Sequence, residues 1–326
     1  MSEKKVSIVM CTFNGMPYLK EQLQTVVMQT YPSIEVIIQD DGSTDGTLDT
    51  IKTFQKKYSF IKLYHNDGEH GVNGNFFSAM FRATGDYIAI CDQDDIWELN
   101  KIEKMMNTIG GQLLCSCRTQ PFSEDGSPVG YDSRVPNYRL PRLLYASVLG
   151  HSMLFRRSLL NMLPDLSNGY YGTIYDVILG TTAAACGKIE VCNEILVHQR
   201  RHANATTVSK YDHEKRRTPS MNNGLYILMW SLLNYRRVRP HIRDVFKNRL
   251  SLLENIKGAH SEEYKDAVQI CQLEGVAGIA NMMKLSLLFI KNRHYLFYTE
   301  GRGIVNYMRA MLFPIMQAYN YRHLLP

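Results

Sequence analysis

The chain has no apolar run long enough to cross a bilayer, for which a helix needs about 20 consecutive, mostly apolar residues. The best stretch, Val276 to Ile290, is interrupted by Asn281 and Lys284 and reads as a buried or interfacial helix. A secretory leader is not expected either, because the apolar run after Lys5 stops at Thr12 and Asn14, too soon for a signal core. Cysteine is scarce and odd in number: Cys11, Cys91, Cys115, Cys117, Cys186, Cys192 and Cys271, several of them in apolar runs where a thiol packs as a small hydrophobe. Cys115-Ser116-Cys117 lacks the two-residue spacing of a zinc knuckle and has no second pair at metal-site distance. These absences argue against a disulfide scaffold and a zinc module. They suit a cytoplasmic, reducing compartment, with any membrane contact peripheral on the inner face of the plasma membrane. Three glycines in dinucleotide spacing are also missing, since the turn after the first apolar run is Cys11-Thr12-Phe13-Asn14-Gly15, which argues against a nicotinamide-type oxidoreductase.

What is present is a chain of 326 residues, 45% hydrophobic, enough for one large domain with a helical appendage. The formal net charge of +6 suits a phosphorylated substrate or an anionic surface. Its cations are spread out instead of forming one aromatic-interleaved patch, so no nucleic acid partner is expected.

Val6 to Cys11 is a β-rich run closed by polar residues, and Pro17 to Tyr31 reads as a helix. Ile34 to Ile38, Ile61 to Tyr64 and Tyr87 to Cys91 read as further strands. Between them lie helical patterns over Thr47 to Tyr58 and from about Phe76 to Arg82, the second preceded by a Gly- and Asn-rich turn. Strands alternating with helices predict a largely parallel sheet covered on both faces. From Gln112 to Val197 the alternation weakens, with strands near 112–117 and 189–197 and helices near 141–148, 157–163 and 176–186. Past about residue 208 the pattern turns helical, including Leu225 to Leu233, Ile242 to Leu253 and Tyr264 to Ile290. Lys291 to His294 with Tyr295 to Tyr298, and Arg302 through Met316, mix cations with apolar residues. That composition suits either packing on the catalytic domain or lying on anionic lipid. Asn204-Ala205-Thr206 fits a glycosylation acceptor pattern that has meaning only in secreted proteins.

The polar clusters follow strand ends, where ligands bind in open α/β sheets. Asp92-Gln93-Asp94-Asp95 puts three carboxylates in four residues, a donor set suited to a hard cation such as Mg2+ or Mn2+. If the stretch is extended, Asp92 and Asp94 share one side; as a turn, its aspartates would cap a helix starting at Ile96. In Asp40-Asp41-Gly42-Ser43 one carboxylate could take hydrogen bonds from a base or ribose, although such a sequence also makes an ordinary turn. Asp176 stands before an apolar helix, where it can be either an N-cap or a functional acid.

Val6-Ser7-Ile8-Val9-Met10-Cys11-Thr12-Phe13-Asn14, Gln39-Asp40-Asp41-Gly42-Ser43-Thr44-Asp45 and Gly85-Asp86-Tyr87-Ile88 leading to Asp92-Gln93-Asp94-Asp95 resemble, in that order, the family 2 glycosyltransferases. Asp92 to Trp97, with Lys101 after it and Asn73-Gly74-Asn75-Phe76 before it, is similar to the rhamnosyltransferase-like branch. The resemblance covers about residues 5 to 207. It implies a GT-A fold: α/β, Rossmann-like, with a mixed, mostly parallel sheet flanked by helices and a helical C-terminal region. On this reading residues 1–211 form the catalytic domain, with a nucleotide-sugar half to about 110 and an acceptor half from about 111, and residues 212–326 form the helical region.

The same resemblance implies that Thr12, Asn14, Asp41 and Asn75 help seat the nucleotide. Asp92 would reach the ribose or the metal shell and Asp94 would ligate the metal. Gly150 to Arg157 resembles the segment between donor and acceptor. Tyr175-Asp176 resembles the place of the catalytic base, with Tyr175 where an acidic residue or His is usual. In His198 to Asn204, Arg200 and Arg201 would neutralise the leaving diphosphate and His202 would join the metal shell. The expected activity is inverting transfer of rhamnose or another hexose from a dTDP- or UDP-sugar to a hydroxyl of a cell-surface glycan or lipid-linked acceptor, assisted by Mg2+ or Mn2+. The alternative is a binding protein that keeps the nucleotide cradle without turnover.

Overall fold

The computed structural model describes residues 4–123, 129, 134–167, 169–202, 224–276, 278–297 and 303–325. The expected boundary near residue 212, the Asn204-Ala205-Thr206 motif, Tyr298 and Arg302 lie outside the described residues.

β1 (Val6–Thr12), β2 (Ile34–Asp40), β3 (Ile61–His65) and β4 (Tyr87–Cys91) form the parallel part of the sheet. The first, second and fourth are near-continuous apolar runs because central parallel strands are buried on both faces. The register sets Thr12 beside Asp40 and Met10 beside Cys91, so the chain leaves all three strands at one edge. Between them lie α1 (Leu19–Val27), α2 (Thr47–Lys57) and α3 (Val72–Arg82). α3 starts earlier than its Gly/Asn composition predicts. Gly71, at φ 92, makes the entry turn that a side chain would oppose, and Gly74 sits where an added Cβ would lie 2.0 Å from the Glu69 carbonyl oxygen.

The second half completes an eight-stranded sheet of order β3-β2-β1-β4-β7-β6-β8-β5. β5 (Ile96–Trp97) pairs antiparallel with β8 (Ile189–Arg201), and α4 (Lys101–Ile109) follows β5. β6 (Leu114–Ser123) runs parallel to β8, while β7 (Met153–Arg156) runs antiparallel to both β4 and β6. Ile96 and Trp97 therefore form a strand, not the helix start that the capping reading offered. β6 and β8 both outrun their expected lengths: register shifts around Arg118 carry the pairing on to Phe122 beside Arg200. α5 (Leu140–Leu143) and α6 (Tyr175–Cys186) cover this half, and residues 157–162 form a 3-10 turn instead of an α-helix.

Side-chain alternation along β1 divides the interior in two. Ile8 and Met10 enter a core with Leu19, Leu23, Ile51 and Met105 of the helices on one face. Val9 enters the other, with Phe77, Ile178 and Leu179. That second core runs on without a break into Val238, Ile242, Phe246 and Phe289, which belong to the C-terminal helices α7 (Gly224–Asn255) and α9 (Ile279–Lys291). α8 (Tyr264–Glu274) lies between them in sequence, and α10 (Arg293–Leu296), α11 (Ile304–Met316) and a 3-10 segment (Gln317–Leu324) follow. The two patterns read at 225–233 and 242–253 are one helix that continues through Pro240, whereas the single pattern read from Tyr264 to Ile290 is two helices broken around Gly275 to Gly278. Fully buried Glu274 pairs with Arg239 of α7. It also accepts hydrogen bonds from Gln317 Nε2 at 2.7 Å and Tyr145 Oη at 3.2 Å, so one carboxylate ties the helical region to the loop after α5.

A comparable polar knot sits at the other end of the sheet. Glu35, 2% exposed, accepts hydrogen bonds from Ser7 Oγ at 2.6 Å, Thr84 N at 2.8 Å and Thr84 Oγ1 at 2.7 Å. Lys5 and Lys62 reach it at 2.8 and 3.1 Å. Burial pushes its carboxyl pKa up, but the bonds from Lys5, Ser7 and Thr84 outweigh this and hold it well below the usual range. A depressed pKa stabilises the fold above the unfolded value and loses that contribution as pH falls. Glu35→Gln is expected to lower the unfolding free energy by about 2 kcal/mol at neutral pH, from loss of charge-assisted hydrogen bonds. In urea titrations the gap between variant and parent should narrow as the pH is taken below the carboxylate range.

Candidate active site

Three loops meet where β1, β2 and β4 end. Thr12 is buried and donates through Oγ1 to Asp40 Oδ2 at 2.8 Å. Asp40 also takes Ser43 N at 2.8 Å and Ser43 Oγ at 2.6 Å, which curls the second loop. Asn14, at φ 47, in the left-handed region that Asn tolerates better than most residues, donates its N–H to Ser43 Oγ at 2.9 Å and accepts from Thr44 N at 2.9 Å. Thr12 and Asn14 thus spend their side chains joining loop to loop. Asp41 faces a different segment: Asn66 Nδ2 at 2.6 Å, His70 Nδ1 at 2.8 Å and Gly71 N at 2.8 Å surround its carboxylate. Slight burial opposes ionisation there, but these bonds keep its pKa below the usual range. Asn75 is buried behind the loops and donates to the Gln39 carbonyl at 3.2 Å. Its expected contact with nucleotide does not match that position.

The acidic loop does not alternate like a strand. Gln93 turns back to form a two-way amide pair with Phe13, accepting from its N at 3.0 Å and donating to its O at 3.1 Å. That bend brings Asp92 and Asp95 together on His151, whose Nδ1 lies 3.1 Å from Asp92 Oδ2 and 3.3 Å from Asp95 Oδ2. Asp94 diverges to His202 Nε2 at 2.8 Å. The expected pairing of Asp92 with Asp94 and His202 is therefore replaced by Asp92, Asp95 and His151, whose ligand atoms all lie within 4.8 Å of one another. Asp95 Oδ2 and His151 Nε2 are both buried without a hydrogen-bond partner. Burial raises the pKa of Asp95, with His151 opposing and the charges of Asp92 and Asp94 adding. Burial also raises that of Asp94, with the Asp92 charge adding and His202 opposing. Burial works against the charged form of His151, but Asp95 and Asp92 more than compensate and raise its pKa.

Two cations support this loop from behind. Arg200 donates Nε to the Asp94 carbonyl at 3.0 Å, a terminal nitrogen to Glu21 Oε2 at 2.6 Å and its backbone N–H to Asp95 Oδ1 at 3.1 Å. Its guanidinium carbon lies 4.7 Å from the Tyr18 ring centroid and 4.8 Å from that of Phe122. These contacts make Arg200 a brace for the loop, not the diphosphate-facing group expected. Arg201, next along β8, is half-buried. Lys101 is fully buried, donates to the His151 carbonyl at 2.6 Å and lies 3.3 Å from the Trp97 ring centroid. Burial pulls its pKa down to about 8.

Asp176 comes in from α6. The N-cap of that helix is Ile174, without a side-chain cap, and the exposed N–H of Tyr175 is taken by Asn73 Oδ1 of α3 at 2.8 Å. With the cap supplied from elsewhere, Asp176 is the second helical residue, 7% exposed, and accepts from its neighbour Val177 N at 2.6 Å. Burial pushes its pKa up to about 6; hydrogen bonds from Val177 and Gly150 oppose this, the negative charge of Asp92 adds to it and His151 opposes it. Asp176 therefore shares an electrostatic neighbourhood with the Asp92 and His151 cluster.

A parallel nucleotide-type sheet, extended by antiparallel strands and carrying a histidine-bound acidic loop beside a buried carboxyl group, gives the chain a GT-A architecture. Residues 7–162 match the family model "Glycosyl transferase family 2". It is 34% identical over 127 residues to the putative teichuronic acid biosynthesis glycosyltransferase TuaG of Bacillus subtilis, covering 38% of this chain and 50% of that protein. The chain spans 32 to 50% of the length of the first curated relatives it matches. Among solved structures, S. aureus TarS 1-349 in complex with UDP-GlcNAc superposes with a TM-score of 0.56 at 14% identity, covering 98% of this chain and 90% of that one. The mannosyltransferase PcManGT of Pyrobaculum calidifontis, in complex with GDP-Man and Mn2+, gives 0.52 at 17% identity over 98 and 85%.

His151, Lys101 and Glu21 had no assigned role in the sequence, and Asp95 entered only as one of three clustered carboxylates. His151 carried a signal in its segment, but its pairing with Asp95 is a long-range contact that no spacing encodes. Gly150 is required beside it: an added Cβ would lie 2.1 Å from Tyr175 Oη, and Tyr175 cannot yield because it is buried and stacked on Phe76 at 4.1 Å. Gly150→Ala is expected to cost about 2 kcal/mol of stability through overpacking, read as a lower urea midpoint, and to displace the start of α6 that carries Asp176.

Proposed function

We propose that the protein is an inverting glycosyltransferase, moving rhamnose or another hexose from a dTDP- or UDP-linked donor to a hydroxyl of a cell-surface glycan or lipid-linked acceptor. The observation that carries the reading is Asp176, a buried carboxyl group with a raised pKa, placed in the field of the Asp92, Asp95 and His151 cluster. The family match over the donor half, and similar folds that hold UDP-GlcNAc or GDP-Man, support a nucleotide-sugar donor. Residues 1–211 would form the catalytic unit and residues 212–326 its helical region.

Two carboxylates and an imidazole suit Mn2+ or Mg2+, and the convergence of Asp92 Oδ2 and Asp95 Oδ2 on His151 Nδ1 fits a bound cation. Asp92, Asp95 and His151 would hold it, with Asp94 and its partner His202 alongside. When bound, the cation supplies positive charge against the leaving diphosphate. Thr12, Asn14 and Asp41 shape the nucleotide side of the cleft, the first two through loop geometry and Asp41 through a carboxylate already ordered by Asn66 and Gly71. Arg201 is the remaining β8 cation proposed to face the diphosphate, since Arg200 is committed to the loop.

Asp176 takes the acceptor proton. Inversion needs a base on the acceptor side so that the hydroxyl oxygen gains nucleophilic character as it attacks the anomeric carbon. A carboxyl raised to about 6 is ionised at neutral pH yet basic enough to share a proton in the transition state.

Asp176→Asn is expected to lower kcat by roughly 100- to 10,000-fold while donor affinity changes little, measured as release of nucleoside diphosphate and as donor binding by calorimetry. Unchanged release would remove Asp176 from the mechanism. An absence of release by the parent chain with any donor, acceptor and metal would favour the non-catalytic binding reading. The base works only when deprotonated, so kcat should be flat above pH 7 and fall about tenfold per unit below about 6.

A further inference from the structure

The C-terminal helices carry apolar residues on their outside. On α11, Ile304, Tyr307, Met308 and Met311 recur at the spacing of one helical face and are 76, 46, 51 and 47% exposed, whereas Asn306 is buried. Its buried face also holds Ala310 and Pro314, so the helix is apolar on both sides, whereas one that only packs on a core is polar outside. α9 repeats the pattern, with Met283 and Leu287 at 65 and 67% exposure and Lys284 and Lys291 on the same face. Ser286 Oγ donates to the Met311 carbonyl at 2.9 Å, which sets α9 and α11 side by side. The first turns of α7 add Leu225, Met229 and Leu233, at 67, 55 and 81% exposure. Their stripe ends at Arg236, which lines a cavity of about 420 Å3 together with Met282 of α9. An exposed apolar surface of this extent marks an interaction site.

Charge selects the occupant. From Gly275 to Pro326, Glu300 is the lone acid against Lys284, Lys291, Arg293, Arg302, Arg309 and Arg322, of which Lys291 is paired with Asp266 of α8. From Gly224 to Arg243 there is no acid; Arg239 is committed to Glu274 and Arg243 lies beside Asp244, which leaves exposed Arg236 and Arg237 to face an anionic surface. A second copy meeting this face across a two-fold axis would set cations against cations. Among the described residues no helix is long and apolar enough to cross a membrane, so a lipid contact here lies in the plane of the surface.

We propose that α7, α9 and α11 form a docking surface for an anionic lipid bilayer, with the apolar stripes entering the headgroup boundary and the flanking lysines and arginines lying against lipid phosphates. The proposal concerns the helical region alone and stands whether or not Asp176 is the base.

The test is flotation of the full chain with phosphatidylcholine vesicles, with and without phosphatidylglycerol. The expected result is binding to the anionic vesicles at least about tenfold stronger than to the neutral ones, weakened by salt. Combining Leu233→Glu, Leu287→Glu and Met308→Glu should reduce that binding by about tenfold or more, because apolar insertion is lost. Since all three positions face solvent, the thermal melt should not move. Arg236→Ala with Arg237→Ala should reduce the preference for anionic over neutral vesicles. Failure of the parent to float with anionic vesicles, or equal flotation of the triple variant, overturns the proposal. So does sedimentation showing a dimer that the same three substitutions dissociate, which would assign the surface to a second copy.

Discussion

The crowding of carboxyl groups at the end of β4 is the constraint on which the rest of the site depends. Asp92, Asp94, Asp95 and Asp176 are brought into mutual influence in a largely buried volume, and burial raises the pKa of three of them. Buried like charges resist ionising together, so the arrangement holds only if positive partners are close. The chain supplies His151 to one pair and His202 to Asp94. Asp95 Oδ2 meets His151 Nδ1 at 3.3 Å without a hydrogen bond, and His151 Nε2 is buried with none. On the proposed function, a cation held there would complete the charge balance and meet the pyrophosphate of a nucleotide sugar.

The fold's irregular features serve that charge balance. The register shifts near Arg118 let β6 and β8 run on together, and without that extension Arg200 and His202 would not reach the loop. The two-residue β5 pins the loop's far end to β8. Gln93, the one uncharged member of the tetrad, folds the loop back on Phe13 and thereby decides which carboxylates meet. Lys101 then closes the assembly from beneath by holding the His151 carbonyl. Positions that carry no chemistry of their own thus determine which groups converge.

The parallel half was legible from the sequence because strands buried on both faces must be apolar along their whole length, and the run from Val6 to Cys11 says so directly. Asp176 was legible as a position but ambiguous in role; Asn73 takes the first N–H of α6, so Asp176 is not its N-cap. What was not legible depends on contacts distant in sequence. The strict alternation read into Asp92 to Asp95 fails because Gln93 bonds a backbone far back in the chain. His151 meets Asp95 only through the antiparallel packing of β7, and a two-residue strand such as Ile96–Trp97 has no periodicity to detect. In the C-terminal region, the two patterns on either side of Pro240 are one continuous helix, while a single apolar pattern is broken near Gly275 and Gly278.

The most direct test is the thermal unfolding of the parent chain and of Asp95→Asn, each titrated with Mn2+ together with UDP. A ligand that binds only the folded form raises the melting temperature in proportion to its affinity. The account predicts a metal-dependent rise for the parent. For Asp95→Asn without metal it predicts a melt no lower than the parent's, because a buried charge has been removed, and a much smaller rise with Mn2+. Equal stabilisation of the two proteins by Mn2+ and UDP would contradict the claim that the cluster at the end of β4 is completed by a cation.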